Sequence, residues 1–187
     1  MRALKNMAAI FVLLLMLILA TVPTGAQGNM TDLGTLGGAN SLAHAVNARG
    51  QIVGSSETAT SWGHAFLWEK GQLTDLGTLG GNYSVAYAIN ERGQVVGMSQ
   101  AVSGSNVFRA FLCEQGTLID LGTLGGEDSA AWAINDPGQI AGWSELASGE
   151  IHAVVWHNQA MTDLGTLGGG LSGAYGINAR GQVVGVS

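Results

Sequence analysis

Between Ser84 and Asn90 small and bulky side chains alternate without a break. Side chains on a strand point alternately to its two faces. Ser84, Ala86, Ala88 and Asn90 therefore fall on one side, and Val85, Tyr87 and Ile89 on the other. The pattern occurs four times. Ala43 and Ala45, Ala86 and Ala88, Ala131 and Ala133, and Ala174 and Gly176 give one face only small groups. The opposite face carries a ring and then a β-branched residue: His44 and Val46, Tyr87 and Ile89, Trp132 and Ile134, Tyr175 and Ile177. Strands carry this much alanine and glycine where another sheet approaches closely. Asn90-Glu91-Arg92-Gly93 then reads as a hairpin turn. Its asparagine bonds the backbone two residues on, and its glycine takes the left-handed position. Gln94 to Gly97 is the returning strand, His64 to Trp68 is a third, and Glu69-Lys70-Gly71 turns that one into a fourth, Leu73 to Leu76. No stretch beyond the first 26 residues has helical periodicity.

This unit repeats. Asp-Leu-Gly-Thr-Leu-Gly-Gly stands at 32–38, 75–81, 120–126 and 163–169, so the spacings are 43, 45 and 43. Its aspartates are Asp32, Asp75, Asp120 and Asp163. Asn47, Asn90, Asn135 and Asn178 follow 15 residues later, and Gly50, Gly93, Gly138 and Gly181 three residues after those. A third motif occurs three times, as His-Ala-Phe-Leu-Trp at 64–68, Arg-Ala-Phe-Leu-Cys at 109–113 and His-Ala-Val-Val-Trp at 152–156. The repeat units are 32–74, 75–119, 120–162 and a partial one at 163–187, inside a single domain spanning 27–187. Four short antiparallel strands at this period predict an all-β fold, a β-propeller-like array of four-stranded blades. A parallel β-solenoid is the rival, but it has no need of repeated hairpin turns. The expected blades are 41–76, 84–121 and 129–164, with a half blade at 172–187 and Met30 to Leu33 as an outer strand without its own blade. About three and a half repeats of this kind make an open or incomplete ring, with an exposed edge at Gln182 to Val186. Proline disfavours the third position of a type I turn, so Pro137 predicts a shifted turn in the third repeat.

The N-terminus changes the location, not the fold. Arg2 and Lys5 precede an unbroken apolar run from Met7 to Ala20, and Thr24 and Ala26 supply small residues before a cleavage point. Basic, apolar, small is the order of a secretory signal peptide, here residues 1–26. The run is shorter than the roughly 20 residues of a membrane span, and no second run of that length follows. The protein is expected outside the cytoplasm, secreted or extracellular, with the periplasm as the other compartment such a leader serves. Removing the leader leaves five basic residues (Arg49, Lys70, Arg92, Arg109 and Arg180) against all 13 acidic ones. Scattered cations on an acidic chain do not make a phosphate-binding surface, which excludes nucleic acid and anionic membranes as partners. The single cysteine, Cys113, excludes an internal disulfide. It stands where Trp68 and Trp156 stand in the other repeats and is expected to be buried, with Phe108 or Phe111 filling the space.

The three linked motifs resemble the HAF family of bacterial extracellular repeat proteins over residues 30 to 187. The resemblance implies an exported repeat protein of propeller form with no established activity or ligand, and it transfers no catalytic residue. The chain departs from the pattern at Arg109, Cys113 and Val154.

Candidate chemistry is sparse. The four aspartates sit in glycine-rich loops that could offer calcium hard oxygen ligands. Each loop has one carboxylate, apart from Glu127 and Asp128 in the third, and a turn-fixing role is simpler. His64 and His152 could share a metal across a four-blade ring, but Arg109 takes their place in the second repeat. The pattern calls for no metal and no cofactor. Ser41, Ser84, Ser129 and Ser172 recur in every repeat, unlike a residue needed once for catalysis. The non-repeating part is the loop before the third strand. Trp62 and Trp143 lie in or beside it, near Glu57 and Glu145. Rings beside acids and serines hold sugars or peptides on many binding surfaces. The expected function is therefore a non-catalytic binding or scaffold module for an extracellular ligand, carbohydrate or protein. The alternative is a propeller-type hydrolase acting on extracellular glycans through acids such as Glu57, Glu145 or Glu150.

Overall fold

In the computed structural model the described residues are 30–60 and 62–187, and they form strands, turns and loops with no helix. The first sheet holds β1 (Gly37–Val46), β2 (Ile52–Thr58), β3 (Gly63–Glu69) and β4 (Gln72–Gly77). The second holds β5 (Ser84–Ile89), β6 (Val95–Gln100), β7 (Phe108–Glu114) and β8 (Thr117–Asp120). The third holds β9 (Gly125–Ile134), β10 (Ile140–Leu146), β11 (Ile151–His157) and β12 (Ala160–Asp163). The last pairs β13 (Gly173–Ile177) with β14 (Val183–Val186). Strands pair in chain order within each sheet, and all these ladders are antiparallel. Each repeat is thus a meander.

The chain divides into Leu33–Ser187, a compact unit, and Met1–Asp32. Only Met30 to Asp32 of the latter are described, so the expected leader at 1–26 lies outside the described residues. The outer strand expected at Met30 to Leu33 does not form, and residues 30–35 have no regular structure. A fourth strand takes its ladder from the third strand of its own sheet, and no described strand precedes this one. Among the described residues no helix is long and apolar enough to cross a membrane.

The first strand of every repeat carries a β-bulge at the ring residue. Ala43 pairs with Gly54 and Ala45 with Val53, which leaves His44 without a partner. Tyr87, Trp132 and Tyr175 are skipped in the same way. The bulge explains the recurring glycine opposite it. A Cβ built on Gly54, Gly97 or Gly185 would sit 1.9 Å from a carbonyl oxygen of the bulged strand, and one on Gly142 2.0 Å. An extra residue also reverses the alternation. Ala86 and Ala88, expected on one face, pack in opposite directions. Ala86 and Ile89 join Val53 and Ala65 of the first sheet, whereas Ala88 joins Ala131 and Ile134 of the third.

The core consequently lies between sheets. Val95, Phe111 and Cys113 of the second sheet pack on the first. Val154 and Trp156 of the third pack on Val96 and Ala110 of the second, and Ala174 packs on Ala141 and Ala153. The bulged rings form a row along the first strands. Centroids are 5.7 Å apart for His44 and Tyr87, 4.3 Å for Tyr87 and Trp132, and 6.4 Å for Trp132 and Tyr175.

The asparagine turns stitch the repeats together. Asn47 Nδ2 donates to the Asn90 carbonyl at 3.1 Å, Asn90 Nδ2 to that of Asn135 at 3.1 Å, and Asn135 Nδ2 to that of Asn178 at 2.9 Å. Within each turn the glycine N–H returns to the asparagine carbonyl at 3.0 Å in all four repeats. The glycines Gly50, Gly93, Gly138 and Gly181 have φ between +76° and +88°. The shift expected at Pro137 therefore does not occur. Arg49, Arg92 and Arg180 donate their N–H to the asparagine Oδ1. Proline forgoes only that bond, while Gln139 N still reaches Asn135 Oδ1 at 2.8 Å and the stitch to the fourth repeat remains.

Candidate functional site

Most residues that recur in the sequence are occupied in holding loops. Asp75 Oδ1 accepts the Gly77 N–H at 2.7 Å, and Asp120 and Asp163 accept those of Gly122 and Gly165, both at 2.8 Å. His64 Nδ1 lies 2.9 Å from Asp75, and His152 Nδ1 lies 2.9 Å from Asp163, so each histidine is tied to the aspartate of its own repeat. Burial opposes the charge on Asp163, but the Gly165 N–H and His152 outweigh it and hold the carboxyl below its usual range. In the second repeat Arg109 replaces the histidine, and its Nη1 is 3.5 Å from Thr123 Oγ1. Among the described residues no three His, Cys, Asp or Glu side chains converge to hold a metal ion.

The recurring serines join one repeat to the next. The Ala65 N–H donates to Ser84 Oγ at 2.8 Å, Ala110 to Ser129 at 2.9 Å and Ala153 to Ser172 at 2.8 Å. Each serine donates in turn to a glycine carbonyl of the preceding loop. A second series, Ser56, Ser99, Ser144 and Ser187, accepts the N–H of Leu36, Leu79, Leu124 and Leu167. Their common distance of 24 residues from each aspartate is the signal that marks them in the sequence.

Glu57 and Glu145 occupy one repeat position, which Gln100 fills in the second repeat. Glu57 Oε2 accepts from Ala39 N at 3.1 Å and Asn40 N at 3.2 Å, and Glu145 Oε2 accepts from Glu127 N at 2.8 Å and Asp128 N at 3.2 Å. Gln100 Oε1 accepts from Asn82 N at 2.7 Å. The Asn40 side chain, followed by the Ala39 N–H, keeps the Glu57 carboxyl below its usual value. These groups cap the Gly-Gly loops.

The two tryptophans lie in different places. Trp143, on β10, lines a small depression of about 140 Å³ with Trp132, Leu171 and Tyr175. Trp62, just before β3, is 62 % exposed and stands at a cleft between the first two repeats. That cleft, of about 410 Å³, is walled by Trp62, Asn82, Tyr83, Gln100, Phe108 and the loop at 104–106. Tyr83 meets Phe108 edge to face, with centroids 6.1 Å apart. A second cavity of about 320 Å³ shares Trp62 and Tyr83 and extends to Asn40, Ser55 and Glu57. Sequence repetition does not single out Tyr83 or Phe108, although the equivalent positions hold Asn40, Asp128 and Leu171, and Gly63 and Ile151, none of them aromatic. Aromatic residues that depart from the repeat were the available signal.

A further cavity, of about 250 Å³, has walls from all four repeats, with Val46, Ile89, Ile134 and Ile177 beside Asn47, Asn90 and Asn135. Compared with known proteins, the chain matches no family model, no curated protein and no solved structure.

Proposed function

We propose that the protein is an exported, non-catalytic binding module of the HAF type, built from propeller-like blades. The cleft between the first two repeats carries the reading. It gathers aromatic residues that are absent from the equivalent positions of the other repeats, whereas the recurring polar groups are engaged in loops and inter-repeat bonds. A scaffold that spends its repeated residues on its own architecture leaves recognition to residues that do not repeat. The meandering sheets, the row of rings and the cavity shared by four asparagine turns support blades arranged about a common axis. The apolar run after Arg2 and Lys5 supports export. Glu57 and Glu145 belong to different repeats and are bound to loop amides, which favours binding over glycan hydrolysis.

The test is to probe the purified protein on arrays of glycans and extracellular proteins and to assay every hit for turnover. Saturable binding without product formation is the expected result. Cleavage of a bound glycan would replace this reading with the hydrolase, and no binding on either array would remove it.

A further inference from the structure

We infer that the cleft between the first two repeats takes a neutral oligosaccharide laid across two adjoining subsites, with the Trp62 and Tyr83 rings between them. The inference rests on the binding-module reading and names its ligand class. Trp62 exposes its indole, whereas Trp156 in the core is 1 % exposed. Indole left in water forgoes the gain of burying a large apolar surface, and a ligand with apolar faces restores it. Tyr83 is held in place. Its Cε2 would lie 3.5 Å from a Cβ built on Gly63, and Phe108 meets it edge to face. Pyranose rings present flat C–H faces to such surfaces and hydroxyls at their rims.

The rest of the wall fits hydroxyls and not charges. Asn82, Asn106 and Ser55 are neutral groups that both donate and accept, as a sugar hydroxyl does. Among the described lining residues Glu57 carries the only carboxylate, and Ala39, Asn40 and the Asn40 amide bind it. Among the described lining residues no Lys, Arg or His is present to pair an acidic sugar or a phosphate. Two cavities of about 410 and 320 Å³ sharing two rings suit a ligand longer than one sugar unit. The 101–107 loop is already set, through Gln100 Nε2 to the Ser105 carbonyl, Ser105 Oγ to the Val102 carbonyl at 2.8 Å and Ala101 N to Val107 O at 3.0 Å. A preformed wall lowers the ordering cost of binding.

The experiment is titration calorimetry of the purified protein. The probes are β-1,4-linked tetrasaccharides of glucose, xylose, mannose and N-acetylglucosamine, their disaccharides, and an acidic tetragalacturonide. At least one neutral tetrasaccharide should bind, about tenfold or more tighter than its disaccharide. Trp62→Ala and Tyr83→Ala should each weaken it roughly tenfold or more, equivalent to about 1.4 kcal/mol or more. Leu167→Ala, at an exposed leucine in a different repeat, should not, and far-ultraviolet circular dichroism confirms folding of each variant. Failure of all four neutral tetrasaccharides, or binding indifferent to both ring variants, overturns the inference. If the tetragalacturonide alone binds and Trp62→Ala abolishes it, the neutral ligand is refuted while a binding module survives. If no array ligand binds at all, both fall.

Discussion

Replacing Asn90 and Asn178 separately by alanine measures what an inter-repeat stitch is worth. Asn90 is 4 % exposed and makes four bonds. Its Nδ2 donates to Gln94 Oε1 at 2.6 Å and to the Asn135 carbonyl at 3.1 Å, while its Oδ1 accepts from Arg92 N and Gln94 N, both at 3.0 Å. Asn178 makes the three local bonds, to Gln182 Oε1, Arg180 N and Gln182 N, but is exposed, and among the described residues its side chain bonds no other repeat. A net hydrogen bond is worth about 1 kcal/mol, and a partner left buried without one costs about 1–3 kcal/mol. Asn90→Ala loses four bonds at a buried position and leaves the Asn135 carbonyl with the Gly138 N–H alone, in a turn whose own asparagine is buried. A loss of about 4 kcal/mol is expected. Water replaces the lost partners at Asn178, so Asn178→Ala should cost about 1 kcal/mol. Urea unfolding followed by far-ultraviolet circular dichroism gives both values, provided the dependence on urea is unchanged. Equal losses in the two variants would show that local turn bonds, not the stitch, matter, and would refute the reasoning.

Three further outcomes follow from local geometry. Gln159 has φ +66° in the two-residue hairpin between β11 and β12, where Gly71 and Gly116 stand in the other repeats, so Gln159→Gly should stabilise by about 1 kcal/mol, and a lower urea midpoint would contradict this. Burial pushes the Cys113 thiol above its usual pKa, so native protein should react with a thiol reagent far more slowly than unfolded protein, and rapid native labelling would contradict the buried site. Burial, with a contribution from Tyr83, pushes the Tyr87 phenol from 10.0 up to about 12. The folded state thus favours the neutral phenol, and this stability is fully present below about pH 10 and lost as pH rises towards 12. Tyr87→Phe should flatten that fall, and an unchanged alkaline profile would count against the assignment.

Strand order and the hairpins were legible because period-two patterning and turn residues report on neighbours a few positions away, whereas the outer strand expected at Met30 to Leu33 did not form. The bulge was not. A strict alternation looks the same whether or not Tyr87 is paired; the register that skips Tyr87, with the Val85 carbonyl where a Cβ of Gly97 would sit, betrays the extra residue. The expected grouping of Ala86 with Ala88 failed for that reason. Pro137 misled in the opposite way, since bonds to Gln139 and Asn178 fix the turn more strongly than proline's own preference. At the cleft, Trp62 was visible as a ring outside the repeat. Its partners Tyr83 and Phe108 come from separate elements, and their meeting depends on how one sheet lies on the next. Glu57 and Glu145 read as free loop acids in the sequence, but Gln100 holds the same position in the second repeat and bonds the same kind of loop amide.

The arrangement of the four repeats about a shared cavity is tested most directly by one distance. Val46→Cys and Ile177→Cys, introduced with Cys113→Ser, place spin labels on the first and fourth repeats, at residues that line the same cavity of about 250 Å³. Double electron–electron resonance should give a separation well below the roughly 30 Å produced by three successive sheet spacings of ~10 Å in a straight stack. A narrow distribution at or beyond that straight-stack distance would contradict the account.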